Sequence, residues 1–467
     1  MSHLLFTTAS AHPHRSPLAS RQSLFLPRSI VSASALSTLT AALLMVTGAS
    51  APQPVSVSAR VETPAVYDDE AGGNADADDP AVWVDPRDPG RSLVIGTLKE
   101  AGLDVYDLAG RRLQHIAAPA APGEDAAPGR FNNVDVVYGF ELGGKKTDLA
   151  LVSDRGRDRV RAFAIDPAAV AAGRPPLRDV TAANAAPVFS ASETEVDDQR
   201  TAYGLAAFSD DGNAYAVVSR RSETRVRLLR LQDRGGRVGY RTEDTLDLPG
   251  SFTLPNGESW TPCADPGDHA QVEGMVVDQE KHVLYAAQED VGLWRVELDD
   301  EEFERPRLID RVREYGTPWT YDAEEECVID TAHDPGFGGD HLSADAEGAA
   351  IYHAADGKGY LLASSQGDNT FAVYERQGRN AYLGSFAVTD GAATDGVQHS
   401  DGATVVNVPL GRSFPKGLLV THDGEATPAD GDREGTNFKF TRWDSVAGAF
   451  PKPLAIDTRS FDPRDSD

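Results

Sequence analysis

One local pattern recurs six times along this chain. A strand-like run, a polar turn and a second strand-like run occur at Ser92–Leu108, Asp148–Ile165, Ala214–Leu231, His282–Leu298, Gly359–Glu375 and Gly417–Trp443. In the first five, aliphatic and β-branched residues lead into a turn of Lys, Arg, Gln, Glu, Asp, Gly or Asn. Apolar and polar residues then alternate with period two. That alternation reads as a strand with one buried face, and two such runs across a short polar turn read as a hairpin. The centres of the second strands, Val105, Phe163, Leu229, Trp294, Val373 and Phe440, lie 58, 66, 65, 79 and 67 residues apart. Each interval has room for about four strands. Helical patterning is confined to Asp166–Ala172 and Trp443–Ala449. Radial repetition of such a unit predicts an all-β, six-bladed β-propeller with about four antiparallel strands per blade. A pair of sandwiches or an open solenoid are the competing closures. Six units also account for 467 residues without a domain split.

The ends of the chain read differently. Arg15, Arg21 and Arg28 precede an apolar stretch, Ile30–Gly48, and Ala49-Ser50-Ala51 offers an A-x-A cleavage site, so residues 1–51 read as an export signal. A membrane anchor is the alternative. The expected order is signal 1–51, linker 52–69, propeller 70–458 and tail 459–467. The mature protein would be secreted or periplasmic, free of the membrane and monomeric. Cys263 and Cys327 are the only cysteines. In an oxidising compartment a disulfide between them is the default expectation.

Lys and Arg number 44 against 73 Asp and Glu, with a sequence pI of about 4.7. That balance argues against a nucleic-acid partner and is compatible with cation binding or with plain solubility. The acids concentrate in strand-flanking loops: Asp76-Ala-Asp78-Asp79-Pro80, Val272-Glu273-Gly274-Met275, Gln288-Glu289-Asp290, Asp345-Ala-Glu347-Gly348, and Thr394-Asp395-Gly396 followed in the same loop by Asp401-Gly402. Asp and Gly are ordinary turn residues, yet five recurrences at blade edges suit a hard cation such as Ca²⁺, which takes six to eight oxygens in irregular geometry. Asp345 and Glu347 flank one residue and would share a face of an extended strand. Lys99, Arg155, Arg157, Arg220 and Arg221 occupy the hairpin turns of the first three units. A closed propeller would set them on one rim, suited to a polyanion or to ion pairing with surface acids. EF-hand, H-E-x-x-H, G-x-S-x-G and P-loop strings are all missing from the sequence. His399 and His422 sit in polar loops.

The segments DADDPAVWVDPRDPG, LKEAGLDVYDLAG, FNNVDVVYGF, VEGMVVD, AAQEDVGLWRV, ADAEGAAIYHAADGKGYLLASSQGDNTFAVYERQG and TDGVQHSDG together resemble the bacterial β-propeller phytases, from about Asp76 to Trp443. The resemblance implies a six-bladed propeller that hydrolyses phosphomonoesters of myo-inositol hexakisphosphate, taken as its calcium complex, by attack of a calcium-bridged water, with several Ca²⁺ ions as cofactors. It implies a catalytic calcium cluster of Asp78, Glu273, Glu289, Asp345, Glu347, Gln366 and Asp395, with Asp401 close by. Asp79 and Asn133 would hold a structural calcium. Phosphate contacts would fall to Lys99, Arg155, Tyr203 and Arg221. Two positions depart from the pattern: Glu100 replaces a second lysine after Lys99, and Arg221 stands for lysine, with Arg220 as the alternative at that turn. The loops Ser251–Asp268 and Glu314–Asp340 are long, carry the two cysteines and precede Glu273 and Asp345. A disulfide there would tie both loops beside the site. A propeller lactonase or esterase using one central Ca²⁺, and a non-catalytic calcium-stabilised propeller, are the competing functions.

Overall fold

The computed structural model describes residues 53–72, 74–322 and 326–464. The expected signal at 1–51 lies outside the described residues. The rest forms six antiparallel sheets. Blades 1 to 4 are four-stranded meanders that start at Pro80–Trp83, Phe131–Leu142, Ala202–Asp210 and Val272–Asp278. Blades 5 and 6 start at Ala346–His353 and Ala403–Val406. The first strand of each blade packs against the first strand of the next, and the sixth returns to the first, so the ring closes as a propeller.

The repeating hairpin of the sequence is the second and third strands of every blade, for example Leu93–Thr97 with Leu103–Asp107 and Gly359–Ser365 with Thr370–Glu375. Leu93, Val94, Ile95, Leu103 and Val105 are all fully buried. A central strand is covered on both sides by neighbouring blades, which is why its apolar run is so dense. Outer strands such as Arg112–Ile116 are largely exposed and carry a weaker pattern. Short helices occur at Pro167–Ala171 and Trp443–Ala449, as expected, and also at Glu193–Asp197.

The segment 52–69, expected as a linker, is built into the ring. Val55–Val57 adds a parallel strand to blade 5, while Val61–Glu62 and Val66–Tyr67 pair with the third strand of blade 6, Gly435–Arg442. The N-terminal segment therefore supplies the outer strand that blade 6 lacks. The C-terminal tail is also docked: Phe461 stacks on His353, and Arg464 pairs with Asp148 at 2.8 Å.

The two long loops each hold a small hairpin, Phe252–Thr253 with Ser259–Trp260 and Trp319–Asp322 with Glu326–Ile329. Cys263 and Cys327 are joined by a disulfide, with Cα atoms 5.8 Å apart. The indole N–H of Trp260 donates to Thr317 O at 2.9 Å, and that of Trp319 to Thr261 O at 2.7 Å. These contacts bind the two insertions into one unit.

Candidate active site

The site is made of two rings of side chains at one mouth of the propeller. The inner ring comes from the start of each first strand and contains Asp78, Asn132, Tyr203, Glu273, Glu347 and Asp401. Four of these strands break register at that point, between Phe131 and Val134, Ala202 and Leu205, Val272 and Met275, and Ala346 and Ala349. A bulge re-aims the side chain beside it, here toward the axis. Glycine is the enabling residue: a Cβ on Gly204 would stand 2.1 Å from Glu273 O, and one on Gly274 2.4 Å from Glu347 O. Only a bare backbone lets adjacent blades approach that closely, and the same juxtaposition recurs at Gly348 and Gly402. The outer ring comes from the turn between second and third strands, which places Lys99, Arg155, Arg221, Glu289 and Gln366 in blades 1 to 5. Of the five basic turn residues expected on one rim, Lys99, Arg155 and Arg221 are placed there, whereas Arg157 pairs with Glu193 and donates to Ala127 O.

The mouth is electrically divided. On the acidic side, oxygens of Glu273, Glu289 and Glu347 lie within 4.8 Å of one another, and all three side chains are buried. Tyr203 Oη donates to Glu273 Oε2 at 2.5 Å and Asn132 Nδ2 to Glu273 Oε1 at 2.6 Å. Gln271 Nε2 donates to Glu289 Oε2 at 2.9 Å. Glu289 Oε1, Glu347 Oε2 and Asp78 Oδ1 have no hydrogen-bond partner among the described residues. Burial, followed by repulsion from Asp345 and Glu273 for Glu289 and from Glu273 and Glu289 for Glu347, pushes both carboxyls well above the usual carboxylate range. Burial raises Glu273 too, and takes Asp345 to about 6. Asp345 is coupled to Asp290, whose carboxyl is likewise driven up by burial and by Asp345.

Lys99 adopts a left-handed backbone with φ 48° and serves three carboxylates. Its Nζ lies 2.9 Å from Asp76 Oδ2, 3.2 Å from Asp78 Oδ2 and 3.4 Å from Asp401 Oδ2. Gln366 Nε2 donates to the other oxygen of Asp401 at 2.8 Å. On the basic side, Arg155 stands over the Tyr203 ring at 5.7 Å with its Nε unpartnered. Burial, then the like charges of Arg221 and Arg130, pulls its pKa down to about 10. Arg220 points elsewhere, donating to Arg200 O and lying over Phe189. Arg221 is therefore the partner of Arg155. Glu100 faces Arg130 at 3.6 Å.

Asp79, Asn133 and Asp135 all line the central channel. Asp79 Oδ2 accepts from Val134 N at 3.0 Å, and burial raises its carboxyl well above the ordinary value. The structure thus brings Asp78, Glu273, Glu289, Asp345, Glu347, Gln366 and Asp401 to one mouth. It does not bring Asp395 there: Asp395 Oδ2 accepts from Thr427 N at 2.5 Å and Oγ1 at 2.9 Å, and its Oδ1 contacts Lys439 Nζ. His422 Nδ1 accepts from Asp401 N at 3.0 Å, which leaves the ring proton on Nε2.

Sequence reasoning missed Asn132, Gln271 and Arg130 as parts of the site, and named Asp290 only as a member of an acidic loop. Asn132 was within reach, because it occupies the same place before its strand bulge as Tyr203, Glu273 and Glu347. The donor set fits calcium: it consists of carboxylate and amide oxygens, several lack any partner, and the three glutamates have no lysine or arginine in ion-pair range among the described residues.

Three comparisons bear on this geometry. The family profile described as Phytase matches residues 28–224 and 313–467. A 3-phytase of Bacillus subtilis (strain 168) is 33% identical over 395 residues, covering 84% of this chain and 84% of that protein. A crystal structure of a Lactobacillus plantarum protein aligns over 69% of this chain and 73% of its own, at 14% identity and a TM-score of 0.38, a likeness too slight to argue from.

Proposed function

The chain belongs to the phytase family, a hydrolase of phosphate esters, and from that premise we propose that it is an exported, calcium-dependent enzyme acting as a monomer on the calcium complex of phytate. The carrying observation is the divided mouth: buried glutamates with oxygens unpartnered among the described residues share it with Arg155, whose strongest charged neighbours are Arg221 and Arg130. A metal-loaded polyanion would bring cations to the first and anions to the second.

Asp78, through its Oδ1, unpartnered among the described residues, and Glu273, Glu289, Asp345 and Glu347 would hold the ions, whereas both oxygens of Asp401 are already taken by Lys99 and Gln366. Bound there, calcium would screen the phosphate oxygens and make a water a better nucleophile near neutral pH. Arg155 and Arg221 grip the phosphate from the opposite side, and their mutual repulsion falls when an anion sits between them. Tyr203 keeps its proton, since burial and then Glu273 hold its hydroxyl well above the usual phenol range. Its O–H fixes Glu273 while its ring supports Arg155, so one side chain sets the spacing of the two halves. Lys99 neutralises Asp76, Asp78 and Asp401 at the seam. Asp79 and Asn133 would hold a further ion at the channel wall.

Phosphate release from phytate is the test. Chelator should suppress release and added calcium restore it; undiminished release in chelator would overturn the calcium role.

A further inference from the structure

Lys439 is an internal cation. Its side chain has 0% exposure, and its Nζ lies 2.9 Å from Glu62 Oε2, 3.0 Å from Asp423 Oδ2 and in contact with Asp395 Oδ1. It donates to Glu62 and to Asp395, while Asp423 Oδ2 is held at ion-pair distance. Three carboxylates from three separate segments surround it: Glu62 from the N-terminal strand, Asp395 from the loop before blade 6, and Asp423 from the end of that blade's second strand. The remaining oxygens of the two aspartates are occupied as well. Asp395 Oδ2 takes Thr427, and Asp423 Oδ1 accepts from Gln398 N at 3.0 Å and Glu425 N at 3.3 Å.

This arrangement does not fit Asp395 as a calcium ligand. A metal ion bound there would have to displace a positive charge tethered to the third strand of blade 6. Lys439 also stands directly opposite Glu62 in the strand pairing that closes the ring.

We propose that Lys439 is a built-in substitute for a metal ion, a tethered ammonium that fills a three-carboxylate cage and locks the N-terminal strand onto blade 6. Closure of the propeller then needs no calcium, whatever the mouth requires. The claim stands apart from turnover, because it concerns which carboxylates are free to take an ion.

The test is the number of tightly bound calcium ions per chain, by equilibrium dialysis and elemental analysis, in wild type, Asp395→Asn and Lys439→Ala. Asp395→Asn should bind as many ions as wild type. Lys439→Ala vacates the cage and should bind one more. One ion fewer in Asp395→Asn would overturn the proposal, as would a Lys439→Ala count no higher than wild type. If Lys439→Ala does not fold, the Asp395→Asn count alone decides.

Discussion

Two clusters of carboxylates, one at the mouth and one around Lys439 on blade 6, solve the same electrostatic problem in opposite ways. At the mouth, Glu273, Glu289 and Glu347 sit together, and among the described residues Glu289 Oε1 and Glu347 Oε2 have no hydrogen-bond partner and none of the three is in ion-pair range of a lysine or arginine. At the seam of the ring, Glu62, Asp395 and Asp423 enclose the ammonium of Lys439. Buried charge is tolerated only when it is paired or coordinates a metal. The seam carries its own cation, whereas the three glutamates of the mouth have no lysine or arginine in ion-pair range among the described residues.

The contrast can be broken most severely at the seam. Lys439→Ala leaves three carboxylates without their cation and should destabilise the calcium-free protein by about 3–5 kcal/mol, seen as a lower denaturation midpoint in chelator. Calcium should recover part of that loss. Glu273→Gln keeps the acceptor for Tyr203 but removes a charge from the mouth, and should lower turnover by about 10²–10³-fold with little change in melting temperature. A comparable loss of melting temperature would mean that Glu273 is structural.

Separating Cys263 from Cys327, by changing both to serine, should lower stability by about 2–4 kcal/mol; equal melting curves would show that the tryptophan contacts suffice to join the two loops. Asp79→Ala removes the acceptor of Val134 N at the channel wall, and should cost about 1–3 kcal/mol. The smallest effect has the opposite sign. In chelator, Glu289→Gln relieves repulsion among buried acids and should raise stability by about 1 kcal/mol, measured by denaturant unfolding. Carboxylate removal should therefore stabilise the empty mouth, and cation removal should destabilise the seam.

The propeller was legible because the two middle strands of each blade are covered on both faces and announce themselves as dense apolar runs. The outer strands face solvent and carry little signal, so residues 52–69 read as a linker although they close the ring. The rim of Lys99, Arg155 and Arg221 followed from repeat position, since equivalent turns must share a face once the ring closes. Asp395 shows where such reading stops. In sequence a carboxylate in a Gly-bearing loop looks the same whether it awaits an ion or is matched by a lysine 44 residues away. Arg130 was hidden for a related reason, because its partner Glu100 comes from another blade.

The most direct measurement is a crystal structure grown with calcium and phosphate. The account predicts ions bound by Asp78, Glu273, Glu289 and Glu347, phosphate against Arg155 and Arg221, and Lys439 still inside its cage. A mouth empty of metal at saturating calcium, or a calcium ion on Asp395 with Lys439 displaced, would contradict it.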